Sequence, residues 1–222
     1  MVVTVVIQAG LGLLLAVILK ERLRGSSFFK AIFFMPIAMA PVIIAAIFRI
    51  IMDPNVGAIN EALRFLHLDF LAQSWLGDPH IALYSICAIN IFEWMGFSMI
   101  IYYAGLMSIS DDIYEAAKID GASMFQRILN IDIPELVPMI VLQLIMSVGN
   151  LMNVGFEKVL LLQTELNKAT SDIIAVYVYE QGIINAKYSY STAVGLFNTV
   201  VNIILLIIVN RIAKKAADVS FV

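Results

Sequence analysis

The segment DDIYEAAKIDGASMFQRILNIDIPELVP, residues 111–138, is rich in polar residues and separates two strongly apolar parts of the chain. Its pattern predicts two short helices around a glycine. Asp112 is expected to cap the first helix, with Glu115 as the capping-box partner three residues later. Gly121 lies where a C′ glycine would end that helix, and Pro134 is expected to close the second. A small polar element of this kind in an apolar chain indicates a docking element rather than a reaction centre.

Composition independently predicts a membrane protein. Of the 222 residues, 61% are hydrophobic and only 14% are charged, and the mean hydropathy is +0.92. These values are typical of an all-α, polytopic membrane helix bundle and not of a soluble domain. The net charge of −3 gives no indication of nucleic-acid binding. Cys87 is the single cysteine, so no disulfide can form within the chain.

About five spans can be recognised, because a helix needs roughly 20 apolar residues to cross a bilayer. They are predicted at Val2–Leu19, Ala31–Met52, Ile81–Leu106, Leu136–Leu151 and Thr192–Val209. Pro36 and Pro41 interrupt the second span and predict a kink. The Asp53–Pro79 stretch is predicted to be an external loop, with a short helix at Asn60–Leu68 and Trp75 as an interfacial anchor.

The distribution of basic residues predicts the orientation of these spans. On this topology more Lys and Arg residues lie inside than outside, as the positive-inside rule requires. The N-terminus is then outside, and the 111–134 segment and the C-terminus are cytoplasmic. The inside group consists of Lys20, Arg22, Arg24, Lys30, Lys118, Arg127, Arg211, Lys214 and Lys215, against Arg49, Arg64, Lys158, Lys168 and Lys187 outside.

The same segment carries a family resemblance. Glu115-Ala116-Ala117, three residues, Gly121, nine residues and Ile131-Asp132-Ile133-Pro134 resemble the EAA loop of ABC-importer permeases, with one departure, Ile133 in place of leucine. Asp120-Gly121-Ala122 is similar to the carbohydrate branch of that family. The alternative interpretation is a surface helical hairpin with ordinary caps, since any motif match is a hypothesis.

The resemblance implies a type I importer permease in which this loop forms the coupling helix that binds a cleft of a cytoplasmic ABC ATPase dimer. It assigns the ATPase-coupling residues to Glu115, Ala116, Ala117, Asp120, Gly121, Ala122, Ile131 and Pro134. It also implies a second permease subunit in a heterodimer, an extracellular or periplasmic solute-binding protein, and alternating access in the lipid bilayer. Residues 1–222 would be one permease domain with coupling segment 111–134, lacking a usual N-terminal span.

Candidate substrate-path residues are the polar and aromatic groups within or beside the spans. A carboxylate inside a span is a functional-site hypothesis by default, and amides offer the donors and acceptors that suit sugar hydroxyls. A hydrated or paired carboxylate, helix caps and helix–helix hydrogen bonds are the alternative interpretations. The candidates are Asn90, Glu93, Trp94, Asn150, Asn153, Phe156, Asn198 and Asn202.

No catalytic constellation, metal site or nucleotide-binding loop is predicted. No Lys is followed by Ser or Thr, as a phosphate loop requires, and His67 and His80 lack ligand-like spacing. We therefore expect no enzyme activity and no cofactor, with ATP bound by the partner. The 162–170 segment departs from the T-x-G-G-P-x-x-x-T pattern of commoner carbohydrate permeases, and resembles an oligosaccharide or polysaccharide subgroup. A permease for another small solute, or a secondary transporter using Glu93, remain alternatives.

Overall fold

The computed structural model describes residues 2–20, 25–149 and 155–217, and all regular elements within these ranges are helical. This confirms the predicted all-α class. The α-helices are α1 (Val2–Lys20), α2 (Ser26–Ala38), α3 (Pro41–Ile51), α4 (Ala58–Phe65), α5 (Ala82–Ser108), α6 (Asp111–Ile119), α7 (Met124–Arg127), α8 (Ile133–Gly149), α9 (Phe156–Leu162), α10 (Lys168–Ser171), α11 (Ile174–Tyr179) and α12 (Tyr188–Ala217). Two π-helical segments, Ile128–Asp132 and Glu180–Ile184, and a 3₁₀ turn at Asp69–Leu71 complete the set.

Four of the described helices are long and apolar enough to cross a membrane, and a bent pair brings the number to five. This agrees with the predicted polytopic bundle of about five spans. The four lie at Val3–Lys20, Ala82–Ser108, Met124–Gly149 and Tyr188–Lys214.

The second predicted span, Ala31–Met52, is a broken pair rather than one kinked helix. The axes of α2 and α3 differ by 105°. Pro36 lies inside α2, whereas Pro41 begins α3. Ala40 has an extended backbone, with φ −62° and ψ 137°, because the residue before a proline is driven out of the α region. The break therefore belongs to Pro41, which has no N–H to continue the helix.

The fourth span is predicted at Leu136–Leu151. In the structure its helix begins twelve residues earlier and runs continuously from Met124 to Gly149. The sequence predicts that Pro134 closes the preceding helix, and this prediction is wrong, because the helix continues through the proline. The N–H of Ile133 donates to the carbonyl of Ile128, which is π-helical spacing. This wider turn lies immediately before Pro134, so that the helix continues although the proline has no N–H to donate.

The chain forms two compact units that alternate along the sequence. Of the described residues, the first contains 38–91 and 155–202, and the second contains 2–20, 25–37, 92–149 and 203–217. The prediction of one permease domain over residues 1–222 stays a prediction.

The core of the first unit is formed by α3, α9, α11 and the beginning of α5. Its buried residues are Ile44, Ala45, Met52, Ile86, Ile89, Val159, Leu162 and Val176. Two buried asparagines, Asn60 and Asn167, hold the loops around this core. Asn60 donates to the carbonyls of Pro54 and Gln73, at 3.1 and 2.9 Å, and accepts from the indole N–H of Trp75 at 2.8 Å. The predicted interfacial anchor Trp75 is thus half-buried and fixed by a protein partner.

The core of the second unit is formed by α1, the end of α5 and the beginning of α8. Its buried residues are Ala16, Leu19, Met99, Tyr102, Leu106 and Leu136. Glycines allow these helices to approach closely, as is usual in membrane proteins. A Cβ atom on Gly96 would lie 2.7 Å from the carbonyl carbon of Phe33, and one on Gly12 would lie 3.0 Å from the backbone nitrogen of Met99.

Candidate functional site

The first helix of the 111–134 segment is capped by Ser110, not by Asp112. The Ser110 hydroxyl accepts from the backbone N–H of Asp112 at 3.3 Å, which satisfies one of the free donors at the helix start. The predicted cap at Asp112 with Glu115 is therefore wrong. Asp111 and Asp112 lie in the first turn, where carboxylates interact favourably with the helix dipole. The capping box lies one helix later, between Ser123 and Gln126.

Gly121 ends α6, as the sequence predicted. Its φ is +76°, in the left-handed region that side chains other than hydrogen disfavour. The N–H of Gly121 donates to the carbonyl of Lys118 at 3.0 Å, and the N–H of Ala122 donates to that of Ala117 at 2.8 Å. This pair of bonds is a Schellman motif. The backbone groups of Ala117 and Ala122 thus close the turn around Gly121.

The predicted coupling residues form an exposed surface on and after α6. Ala117, Ala122 and Ile131 are half-buried, whereas the others are exposed, namely Glu115, Ala116, Asp120, Gly121 and Pro134. Two further apolar residues extend this surface, with Ile119 87% and Phe125 69% exposed. We call Glu115–Phe125 the motif surface.

A buried polar cluster lies under this surface, and the sequence analysis did not include it among the site residues. The Lys20 ammonium is 2.7 Å from Asp132 Oδ1 and donates to the Tyr114 hydroxyl at 2.5 Å. The Tyr114 hydroxyl donates to the same carboxylate oxygen at 2.5 Å. Lys20 Nζ also lies 3.8 Å from the centroid of the Tyr114 ring. The cluster joins the last residue of α1, the middle of α6 and the end of the first π segment.

Burial makes these interactions strong. The side chains of Asp132 and Lys20 are only 4% and 18% exposed, and hydrogen bonds with an ionised partner are stronger than neutral ones. Burial and the bond to Asp132 raise the pKa of Tyr114 far above its usual value. The available sequence signal was a lone carboxylate in the apolar run Ile131-Asp132-Ile133. Its lysine partner lies 112 residues earlier in the chain.

The candidate substrate-path residues of α5 lie near the middle of that 27-residue helix. Asn90 and Glu93 are buried, at 7% and 4% exposure, whereas Trp94 is 39% exposed. The Trp94 ring meets Phe97 edge to face at 6.0 Å. Glu93 is thus a buried carboxylate far from either end of its helix, and its role in a substrate path stays a prediction.

The remaining path candidates fall on α9, α12 and the segment between α8 and α9. Phe156 is half-buried against the core of the first unit, and its ring centroid is 5.9 Å from that of Tyr179. Asn198 is buried and Asn202 half-buried on α12. Asn150 and Asn153 lie outside the described residues. Asn90 lies beside the turn that precedes Phe156, since a Cβ on Gly155 would be 3.3 Å from the Asn90 amide nitrogen.

The described residues contain no group of three His, Cys, Asp or Glu side chains that could hold a metal ion. A surface cavity of about 530 Å³ is lined by Tyr177, Gln181, Ala186, Lys187, Tyr188, Ser189 and Tyr190. Another of about 260 Å³ is lined by residues of α3 and the loop after it, together with Ser74, Leu76 and Gly77. Neither cavity includes a candidate path residue.

Several helices long and apolar enough to cross a membrane, with an exposed helix–glycine–helix segment between two of them, define a polytopic membrane protein. Comparison with known families supports this class. The model of one family, described as the binding-protein-dependent transport system inner membrane component, matches residues 8–218. The chain belongs to this family, and the resemblance to importer permeases is confirmed.

Among the relatives is protein LplB of Bacillus subtilis (strain 168), which is 35% identical over 91% of this chain and 64% of its own length. The polygalacturonan/rhamnogalacturonan transport system permease protein YteP of the same organism is 33% identical over 93% of this chain and 64% of its own. The chain therefore spans slightly less than two thirds of the length of these relatives.

Solved structures give the same fold. This chain is similar to a chain in the crystal structure of a bacterial ABC transporter involved in the import of the acidic polysaccharide alginate. The TM-score is 0.86 at 29% identity, covering 97% of this chain and 78% of the other. A second structure, of the bacterial alginate ABC transporter in complex with alginate pentasaccharide-bound periplasmic protein, gives a TM-score of 0.88 at 29% identity, covering 98% and 78%.

Proposed function

We propose that this chain is the membrane-spanning permease subunit of an ATP-binding-cassette importer. It translocates a sugar or oligosaccharide by alternating access, after an external solute-binding protein delivers it. The observation that carries this proposal is the motif surface, in which an exposed helix with the Glu115-Ala116-Ala117 sequence ends at a left-handed Gly121. Family membership supports the same conclusion.

The motif surface has the features of a docking site for a cytoplasmic ATPase. The exposed Ala116 and Gly121 permit close approach of a partner, while Ile119 and Phe125 supply apolar area. Glu115 and Asp120 add negative charge at the edge. Rim charges of this kind guide association and specificity more than they add affinity. ATP binds to the partner in this proposal, and the permease itself is neither an enzyme nor a cofactor carrier.

The charges of the chain support the proposed orientation. Nine basic residues lie on the side of the 111–134 segment against five on the other, which favours a cytoplasmic location for this segment and the C-terminus. The 53–79 and 158–189 stretches are then external, where a solute-binding protein would dock. A second permease subunit completes the pathway as a heterodimer.

The proposed substrate class is carbohydrate. The relative YteP is named for polygalacturonan and rhamnogalacturonan, and the similar solved structure is that of an alginate importer. In this chain, Asn90 and Asn198 are buried amides on apolar helices, and such groups suit hydrogen bonding to sugar hydroxyls. Asn150, Asn153, Phe156 and Asn202 stay candidates for the same path.

The decisive experiment is co-purification of the chain with ATPase subunits of carbohydrate importers. We compare the wild type with Glu115→Lys and Gly121→Arg, and use Glu135→Gln as the matched control because Glu135 is an exposed carboxylate outside the motif surface. The wild type and the control should retain the ATPase, and the two variants should lose it. Equal retention by all four proteins, or no retention by any, contradicts the proposal.

Transport by the assembled complex distinguishes the alternatives. Uptake into proteoliposomes should require ATP and should be greater for oligosaccharides than for amino acids. Uptake driven by an ion gradient in the absence of any ATPase, and abolished by Glu93→Gln, would instead support the secondary-transporter alternative.

A further inference from the structure

The Lys20–Tyr114–Asp132 cluster lies at the junction between the motif surface and two membrane helices. Tyr114 directly precedes Glu115 on α6, Lys20 is the last residue of α1, and Asp132 ends the π segment that leads into α8. Its three polar atoms are mutually bonded at 2.5–2.7 Å. The motif surface is therefore linked by a buried polar contact to two helices that could cross the membrane.

The residues of α6 are either exposed or half-buried. The described residues of α6 include none that is buried, and Ile119 at its end is 87% exposed. A helix of nine residues is too short to be stable alone in water. The position of α6 therefore depends largely on the hydrogen bonds of Tyr114 with Lys20 and Asp132.

We propose that Lys20, Tyr114 and Asp132 are positioning residues that clamp α6 to α1 and α8, so that displacement of the motif surface by the ATPase moves these helices as one body. This inference rests on the proposed function, because it assumes that the ATPase engages the motif surface. The Lys20 ammonium and the Tyr114 hydroxyl both donate to the same carboxylate oxygen of Asp132. Hydrogen-bond and salt-bridge networks between rigid helices are one physical route by which coupling between distant sites is carried.

The π turn contributes to this arrangement. It contains one residue more than an α-helical turn, and one residue corresponds to about 100° of rotation around a helix. Asp132 is buried at 3% exposure at the end of this turn, while Asn130, two residues earlier, is exposed. The extra residue thus directs the carboxylate toward Lys20 and Tyr114, while Leu136 in the first turn of α8 stays buried in the core of the second unit.

The test uses spin labels at two exposed positions outside the motif surface, Ile18→Cys on α1 and Ile113→Cys on α6, in a Cys87→Ser background. Pulsed electron–electron double resonance on the full chain in nanodiscs gives the distance distribution between the labels. Tyr114→Phe and Asp132→Asn should broaden it at least twofold. Tyr103→Phe is the matched control, because Lys30 also lies over the Tyr103 ring, at 3.5 Å from its centroid.

Charge reversal separates positioning from general damage to the fold. Lys20→Asp and Asp132→Lys should each broaden the distribution, and the double variant should restore the wild-type width, because the ion pair is rebuilt with exchanged partners. If Tyr114→Phe and Asp132→Asn both give the same width of the distance distribution as the wild type and the control, the proposed clamp is overturned. Failure of the double reversal to narrow the distribution also overturns it.

A second arm tests transmission in the assembled complex, with MgATP and vanadate as the probe. In the wild type, trapping should leave the distance between the two labels unchanged, because α6 and α1 move together. In Asp132→Asn, trapping should change it, because α6 then follows the ATPase alone. An equal response of both proteins overturns the coupling role. Retention of the ATPase is scored separately, so that loss of retention by the wild type identifies failure of the proposed function itself.

Discussion

Replacement of Gly121 tests whether the left-handed turn defines the end of α6. The φ of Gly121 is +76°, and a Cβ added there would meet nothing within 4 Å. Steric clash with neighbours is therefore absent, and the effect of Gly121→Ala is purely that of the backbone. A left-handed residue with a side chain costs roughly 1–2 kcal/mol relative to glycine. Asparagine tolerates this region better, so Gly121→Asn should cost less.

The local readout is hydrogen exchange at the amide of Ala122, which donates to the carbonyl of Ala117 at 2.8 Å. A loss of about 1–2 kcal/mol increases the equilibrium constant for opening of this bond by roughly 5–30-fold. We expect the exchange rate of this amide to rise by that factor in Gly121→Ala and by a smaller factor in Gly121→Asn. Exchange in the core of the second unit, for example at Met99, should not change.

Gly10→Ala is the matched control for this series. Gly10 lies in α1, and a Cβ there would likewise meet nothing within 4 Å, but its φ is not in the left-handed region. The control should leave exchange at Ala122 unaltered. If Gly121→Ala behaves like Gly10→Ala, the left-handed backbone does not determine the stability of this helix end. If asparagine is worse than alanine, the cause lies in the side chain and not in φ.

Three further replacements test the packing and capping of the two units. Gly96→Ala should lower the melting temperature in detergent. Overpacking against a backbone costs about 1–3 kcal/mol, which outweighs the gain in helix propensity of about 1 kcal/mol. Gly195→Ala is the control and should not lower it, because a Cβ at Gly195 meets nothing within 4 Å. Asn60→Asp should shift the tryptophan fluorescence and destabilise the first unit, because a carboxylate would face two carbonyl oxygens. Asn55→Asp, at an exposed position of the turn that precedes α4, should be neutral. Ser110→Ala should accelerate amide exchange in the first turn of α6, since loss of an N-cap costs about 1 kcal/mol, and unchanged exchange would refute this cap.

Local backbone rules made much of the 111–134 segment predictable. Gly121 was recognised because a helix followed by glycine is a strong local signal, and the structure gives the corresponding left-handed φ. The cap was assigned to the wrong residue because Ser110 and Asp112 are both good caps. The choice depends on where the preceding helix ends, which is Ser108, and the boundaries of apolar helices are poorly defined by hydropathy.

At Pro134, tertiary structure overrides a local sequence rule, because the helix continues through the proline. A proline normally ends or kinks a helix because it lacks an N–H and clashes with the preceding turn. Here the π segment lies directly before it, and the N–H of Ile133 reaches the carbonyl of Ile128. The stability of such a turn depends on contacts made elsewhere, among them the bonds of Asp132. These contacts are absent from any local window of the sequence.

The same distinction explains why the motif was recognised while its support was not. The positions of Glu115, Ala117 and Gly121 follow from one helix and its C-cap, so their spacing alone carries the information. Asp132 lies inside the same motif, yet its role depends on Lys20, 112 residues away. A buried carboxylate is unfavourable without a partner, so its presence in an apolar run required that a cation lie nearby. The sequence offered many lysines and arginines for that place, and only the packing of α1 against the segment before α8 selected one of them.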